Sequence, residues 1–185
     1  MTAQGKLRSE GFVATVMSNL GLHKFCEENH LKLLCAAVGD RNVLELMQKE
    51  SMVLGGEQSG HIIFLEHMTT GDGQLAALQF LSILGQSGKK ASELAGQITH
   101  YPQLLQNVKV GSNEEKTAIL NSAELSMIVA REEERLTGHG RILLRASGTE
   151  PLIRVMAEAD TQDLAESVVK TLVQAVENIQ KILNK

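Results

Sequence analysis

The 185-residue sequence has no tryptophan, and tyrosine and phenylalanine bring its aromatic content to only 3%. An aromatic platform for stacking single-stranded bases is therefore excluded. Basic residues are scarce too. Against 22 Asp and Glu stand 18 Lys and Arg, a formal net charge of −4, which is the wrong sign for a nucleic-acid footprint. Two cysteines, Cys26 and Cys35, are too few for a disulfide framework and have no Cys or His partner at zinc-ligand spacing. They are expected to be free thiols in a reducing compartment. No apolar run approaches the roughly 18–20 residues that span a bilayer, and residues 1–8 are polar, with no apolar signal core. The expectation is a cytoplasmic globular protein with neither a membrane nor a nucleic-acid partner. Its oligomeric state is not legible.

What is present supports folding. Hydrophobic residues make up 43% and charged residues 22% of the chain, and 16 glycines punctuate it. This length suits one large domain or two small ones. Residues 12–17 form a nearly continuous apolar run, as in a strand buried on both faces. A helix is expected over 22–29, a second strand over 31–38, and a helix through Val43, Leu44 and Met47 with Asp40 as its cap. Short strands over 52–54 and 62–65 follow, and then a helix to Leu84 that is capped at Asp72. The order β-α-β-α-β-β-α predicts a small α/β layer domain.

Beyond the polar break at 86–90 and a short helix over 91–98, Tyr101-Pro102 marks a boundary. Domains are therefore expected over 1–99 and 100–185. In the second, strands are expected over 104–110, 141–145 and 152–159, and one long helix over 114–136. Residues 152–159 alternate, so Ile153, Val155, Ala157 and Ala159 face one way and Arg154 the other. The last helix carries the stripe Leu164, Val168, Leu172, Ala175, Ile179 and Leu183, with Asp160 or Thr161 at its start. This half reads as an α+β domain whose helices cover one face of an antiparallel sheet.

Ligands in open α/β domains bind beyond the carboxyl ends of the strands. Three polar loops fall there: Ser18-Asn19, Gly39-Asp40-Arg41 and Gly55-Gly56-Glu57-Gln58-Ser59-Gly60-His61. In the last of these, Glu57 accepts hydrogen bonds and Ser59 both accepts and donates, which suits a polyol such as a sugar. A plain glycine-rich connection is the alternative. Ser59 is no hydrolase nucleophile, because Glu57 stands where a G-x-S-x-G elbow needs glycine. The loop Arg145-Ala146-Ser147-Gly148-Thr149-Glu150-Pro151 offers hydroxyls, backbone N–H groups and a guanidinium fork to an anion, with Arg154 within reach of the same ligand. An ordinary hairpin with surface arginines is its competitor. Residues 85–90 lack the phosphate-loop spacing, Gly71-Asp72-Gly73 holds one carboxylate and no metal site, and residues 131–135 read as a solvated helix face.

Taken in order, the runs 14–22, Val38-Gly39-Asp40-Arg41, Gly56-Glu57-Gln58-Ser59-Gly60-His61, Thr69-Thr70-Gly71-Asp72-Gly73 and 145–156 closely resemble the third and fourth domains of bacterial phosphoglucosamine mutases, in the α-D-phosphohexomutase superfamily. The resemblance implies a three-layer α/β domain followed by an α+β domain of the TATA-box-binding-protein-like type. Such enzymes interconvert glucosamine 6-phosphate and glucosamine 1-phosphate, passing through a phosphoserine and a bisphosphate. It further implies that Glu57, Ser59 and His61 grip sugar hydroxyls, with Asp40 and Arg41 facing the ligand. Arg145, Ser147, Gly148, Thr149 and Arg154 would bind the non-reacting phosphate. No residue of this chain matches the family's phosphoserine loop or its magnesium loop. No catalytic residue and no metal ligand is thus expected here, magnesium belongs to the longer parent enzyme, and the N-terminal domains of that enzyme are the expected protein partner. Asn42 and Ala146 depart from common family residues without removing a proposed contact. Phosphomannomutase or phosphoglucomutase specificity remains open, as does a non-enzymatic interaction module.

Overall fold

A computed structural model describes residues 11–148 and 150–184. The chain divides into two compact units, residues 1–100 and 101–185. Among the described residues, no helix is long and apolar enough to cross a membrane.

The first unit is built on a four-stranded mixed sheet in the order β2-β1-β3-β4. Strand β1 (Gly11–Thr15) runs parallel to β2 (Lys32–Ala36) and to β3 (Leu54–Gly56), and β4 (Ile62–Phe64) returns antiparallel to β3. Helices α1 (Leu20–Glu28) and α2 (Asp40–Lys49) supply the crossovers. Among the described residues, Val13, Ala36, Val43, Met47, Met52 and Ile63 form one buried core cluster. Met47 fills it without β-branching, a use suited to an irregular gap. Helix α1 begins where the Asn19 side chain accepts from the Gly21 N–H at 3.0 Å. Asp40 is not the cap of α2. The N-cap is Gly39, whose φ of +125° favours glycine, and Asp40 is the first helical residue, its carboxylate accepting from the adjacent Arg41 N–H.

Helix α3 (Gly73–Ser87) starts as expected, with Asp72 Oδ1 accepting from the N–H groups of Gln74 and Leu75. None of its residues is buried. Leu78, Phe80, Leu81 and Ile83 stand exposed along it. A shorter helix, α4 (Ala91–Ala95), completes the unit.

The second unit holds a three-stranded antiparallel sheet in the order β5-β7-β6, where β5 is Gln103–Lys109, β6 Gly140–Ala146 and β7 Leu152–Ala159. The central strand β7 places Ile153, Val155, Ala157 and Ala159 on the face covered by helix α7 (Gln162–Leu183). From α7, Ala165, Val168, Val169, Leu172, Val173, Ala175, Val176 and Ile179 are buried, and Thr161 caps its start. Leu183, expected on the buried stripe, is 50% exposed at the helix end.

The helix expected over 114–136 is two helices, α5 (Asn113–Leu120) and α6 (Ala123–Arg135). The break is chemical. Asn121 terminates α5, and the Ser122 hydroxyl accepts from Leu125 N–H to cap α6. Nor is 131–135 wholly a solvated face. Glu132 is buried and holds Arg131 and Arg135 at 3.1 Å each. Neither cysteine is in a disulfide; Cys26 is buried and Cys35 exposed.

Candidate functional site

In the first unit, the carboxyl ends of β2 and β3 bring two of the expected loops together. The Gly39 N–H donates to Glu57 Oε1 at 2.9 Å, at the positive end of α2. A carboxylate has about four lone-pair directions, so this bond leaves Glu57 acceptor capacity for a ligand hydroxyl. The Glu57–His61 turn closes on itself, with Glu57 N–H donating to the His61 carbonyl and Gly60 N–H to the Glu57 carbonyl. Gln58, Ser59, Gly60 and His61 stand exposed at its tip. The His61 ring lies against Gly71, where an added Cβ would come within 2.4 Å of the ring, so only glycine admits this approach. Asp40 and Arg41 are drawn to their own helix instead: Arg41 Nε donates to Glu45 at 2.8 Å, with the Arg41 side chain 87% exposed.

In the second unit, the register of β6 against β7 sets Arg145 directly opposite Arg154. Cross-strand partners share a face, so both guanidiniums rise from the side away from α7. Two steps along, the same face carries the pair Arg141–Glu158, joined at 2.6 Å, with Glu158 fully buried. The one acidic side chain on this stretch of β6 and β7 is thus committed to Arg141. Among the described residues, the buried Nε atoms of Arg145 and Arg154 have no hydrogen-bond partner. Burial, and then the charge of Arg154, hold the Arg145 guanidinium below its ordinary basicity. Two adjacent half-buried guanidiniums, with no carboxylate at ion-pair distance among the described residues, form an arrangement that can take an anion between them.

The loop that follows is tightly fixed. Ser147 is buried, its N–H donates to the Leu152 carbonyl at 2.9 Å, and its hydroxyl accepts from Glu150 N–H at 3.3 Å. Gly148 lies open: a Cβ built on it would meet nothing within 4 Å. Thr149, named with these residues on sequence grounds, lies outside the described residues. Sequence reasoning missed Lys116 of α5. Buried to 7% exposure, it donates to the Ser147 carbonyl at 2.7 Å and to that of Glu150 at 3.2 Å. Sequence separations of 31 and 34 residues leave no local signal of these bonds. Among the described residues, no three His, Cys, Asp or Glu side chains converge to hold a metal ion.

Comparison with known proteins follows the same division. A family model described as phosphoglucomutase/phosphomannomutase, alpha/beta/alpha domain III, matches residues 1–101, and the C-terminal domain of the same family matches 105–175. Phosphoglucosamine mutase of Lactococcus lactis subsp. cremoris is 50% identical over 94% of this chain and 38% of its own length. The enzyme of that name from Paracoccus denitrificans is 51% identical over 95% of this chain and 38% of its own length. The chain therefore spans less than two-fifths of these relatives. Among solved structures, N-acetylphosphoglucosamine mutase of Aspergillus fumigatus, determined with GlcNAc-6P and magnesium, shares the fold. Its TM-score is 0.75 at 22% identity, over 92% of this chain and 39% of that one. The residue matches, spanning both units, place this chain in the phosphoglucomutase/phosphomannomutase family.

Proposed function

We propose that this chain supplies the sugar-binding and phosphate-binding domains of a phosphoglucosamine mutase, which interconverts glucosamine 6-phosphate and glucosamine 1-phosphate. The observation that carries the reading is the opposed pair Arg145 and Arg154, whose buried Nε atoms find no partner among the described residues. A dianionic phosphate accepts from both forks at once. The Ser147 hydroxyl and the Gly148 N–H supply further donors, and Thr149 belongs to the same loop. In the first unit, Glu57 and Ser59 bind and orient sugar hydroxyls, with His61 beside them on Gly71; Asp40 and Arg41 border that loop. The glucosamine substrate is favoured over glucose and mannose by Val38-Gly39-Asp40-Arg41 and by relatives of that name at about 50% identity.

The chemistry of these residues is binding. Each charge-assisted hydrogen bond contributes roughly 1.5–3 kcal/mol, and a phosphate anchor with a few sugar contacts amounts to a dissociation constant on the order of a millimolar. No acid–base or phosphoryl-transfer step is assigned to them, and none is routed through magnesium, for which the described residues assemble no donor set. The phosphoserine and the metal are assigned to the parent enzyme's other domains, the expected partners in the reaction, in the cytoplasm.

The test is a titration of the ¹⁵N-labelled chain with glucosamine 6-phosphate. Shifts are expected at Ser147 and Gly148 and at Ser59 and His61, with no glucosamine 1-phosphate formed. Saturating ligand that moves neither loop overturns the reading. Glucose and mannose phosphates, run in parallel on the full-length parent, test the choice of hexose.

A further inference from the structure

We infer that Lys116 is a positioning residue for the anion loop: it holds the Ser147 carbonyl so that the Gly148 N–H faces outward to a bound phosphate. The inference rests on the phosphate-loop reading above. A lysine at 7% exposure is costly unless a carboxylate or good hydrogen bonds compensate it. Among the described residues, no carboxylate lies within ion-pair distance of Lys116; both of its bonds go to carbonyls, those of Ser147 and Glu150. A methionine would fill the same space without the desolvation cost. What the ammonium adds is control of one loop.

Peptide geometry gives that control a direction. The described peptides include no cis bond, and in a trans peptide the C=O and N–H point in opposite directions. Once Lys116 Nζ binds the Ser147 carbonyl at 2.7 Å, the N–H of the same peptide, that of Gly148, points away from Lys116. Among the described residues that N–H has no hydrogen-bond partner, and the space a Cβ on Gly148 would occupy is empty to 4 Å. The second bond costs the site no donor, because the Glu150 carbonyl belongs to the peptide with Pro151, which has no N–H. Lys116 arrives from α5, whose Ile119 packs in the core on the helix-covered face, whereas Arg145 and Arg154 rise from the other face. The loop is thus held at two of its carbonyls by Lys116, with empty space beside the Gly148 Cα.

The 185-residue chain, ¹⁵N-labelled, is titrated with inorganic phosphate and with glucosamine 6-phosphate, observing the Gly148 amide and the Arg Nε signals. In the unsubstituted chain the Gly148 amide exchanges fast with solvent and shifts together with the Arg145 and Arg154 Nε signals. Lys116→Met weakens binding about ten-fold and removes the Gly148 shift, while the Arg signals still move at higher ligand concentration. Lys116→Arg, which keeps charge and donors, restores most of both. A Lys116→Met chain with unchanged affinity and an unchanged Gly148 shift overturns the inference and leaves the phosphate-loop reading standing. Arg signals that never move overturn both. Should Lys116→Met not fold, the unsubstituted chain decides: a Gly148 amide protected without ligand, or unmoved while the Arg signals shift, overturns the role of Lys116.

Discussion

Replacing Arg154 with methionine should make the ligand-free protein more stable and the sugar-phosphate-bound protein less so. Arg154 faces Arg145 directly across β6 and β7, and the nearest acidic side chain on that face is bound to Arg141. Like charges directly opposite each other in a sheet destabilise it by roughly 0.2–1 kcal/mol. Methionine keeps the apolar stem that lies on the sheet and removes the charge. For a unit of this size, ~1 kcal/mol moves the melting temperature by about 4–8 °C, so the variant should melt about 1–8 °C higher without ligand. The sugar phosphate reverses the order. At a millimolar dissociation constant, 20 mM glucosamine 6-phosphate stabilises the parent chain by ~1.8 kcal/mol, whereas a variant binding ten-fold more weakly gains only ~0.65 kcal/mol. The assay is thermal unfolding followed by the fluorescence of Tyr101, the single tyrosine, which belongs to the second unit. Chloride replaces glucosamine 6-phosphate at constant ionic strength, so that screening is equal in the two arms. A variant that melts lower than the parent without glucosamine 6-phosphate, or gains as much from it, would refute the reasoning.

Glu158→Gln should destabilise the second unit by about 3 kcal/mol, because it removes the charge of a fully buried carboxylate that pairs with Arg141 at 2.6 Å. Urea unfolding checks this, and adding Arg141→Met should recover part of the loss. Asp72→Ala removes the acceptor for two N–H groups at the start of α3 and should cost about 1 kcal/mol, read as lost helical circular dichroism on mild heating. Alkylation at neutral pH should modify Cys35 and spare Cys26, with mass spectrometry showing one adduct. Burial first, then Cys35 and Glu27, push the Cys26 thiol from 9.0 up to about 11. The folded state therefore keeps this proton longer than the unfolded state does. The resulting stability is intact below pH 9 and declines as pH rises towards 11. Cys26→Ala should flatten that decline in pH-dependent melts.

The elements that could be read from sequence are those whose pattern is local. Alternation along 152–159 identified β7, the apolar stripe identified α7, and Asp72 stood where a cap belongs. Periodicity failed at Asn121-Ser122, because apolar residues recur at helical spacing on both sides of the break and Ser122 is tolerated within helices as well as at their starts. At Asp40, composition pointed to a capping side chain where the backbone uses the positive φ of Gly39. Glu132 looked solvated because its arginine neighbours did, yet those arginines are what allow it to be buried. The candidate loops themselves were conspicuous in sequence. Their couplings were not: Gly39 to Glu57, His61 to Gly71 and Lys116 to Ser147 all join residues through the fold, with no spacing to betray them.

The central position of β7 also bears on how the protein is made. Both of its neighbours, β5 and β6, precede it in sequence, and the helix that covers their shared core is the last in the chain. As the polypeptide leaves the ribosome, the four described strands of the first unit are present once residue 64 has emerged. The second has nothing to pair until residues 152–159 follow, and no full core until α7 is out. Domains generally fold as units during synthesis. The first unit should therefore be folded while the second is still waiting for its middle strand, with the edges of β5 and β6 unpaired until β7 emerges and their apolar face uncovered until α7 follows.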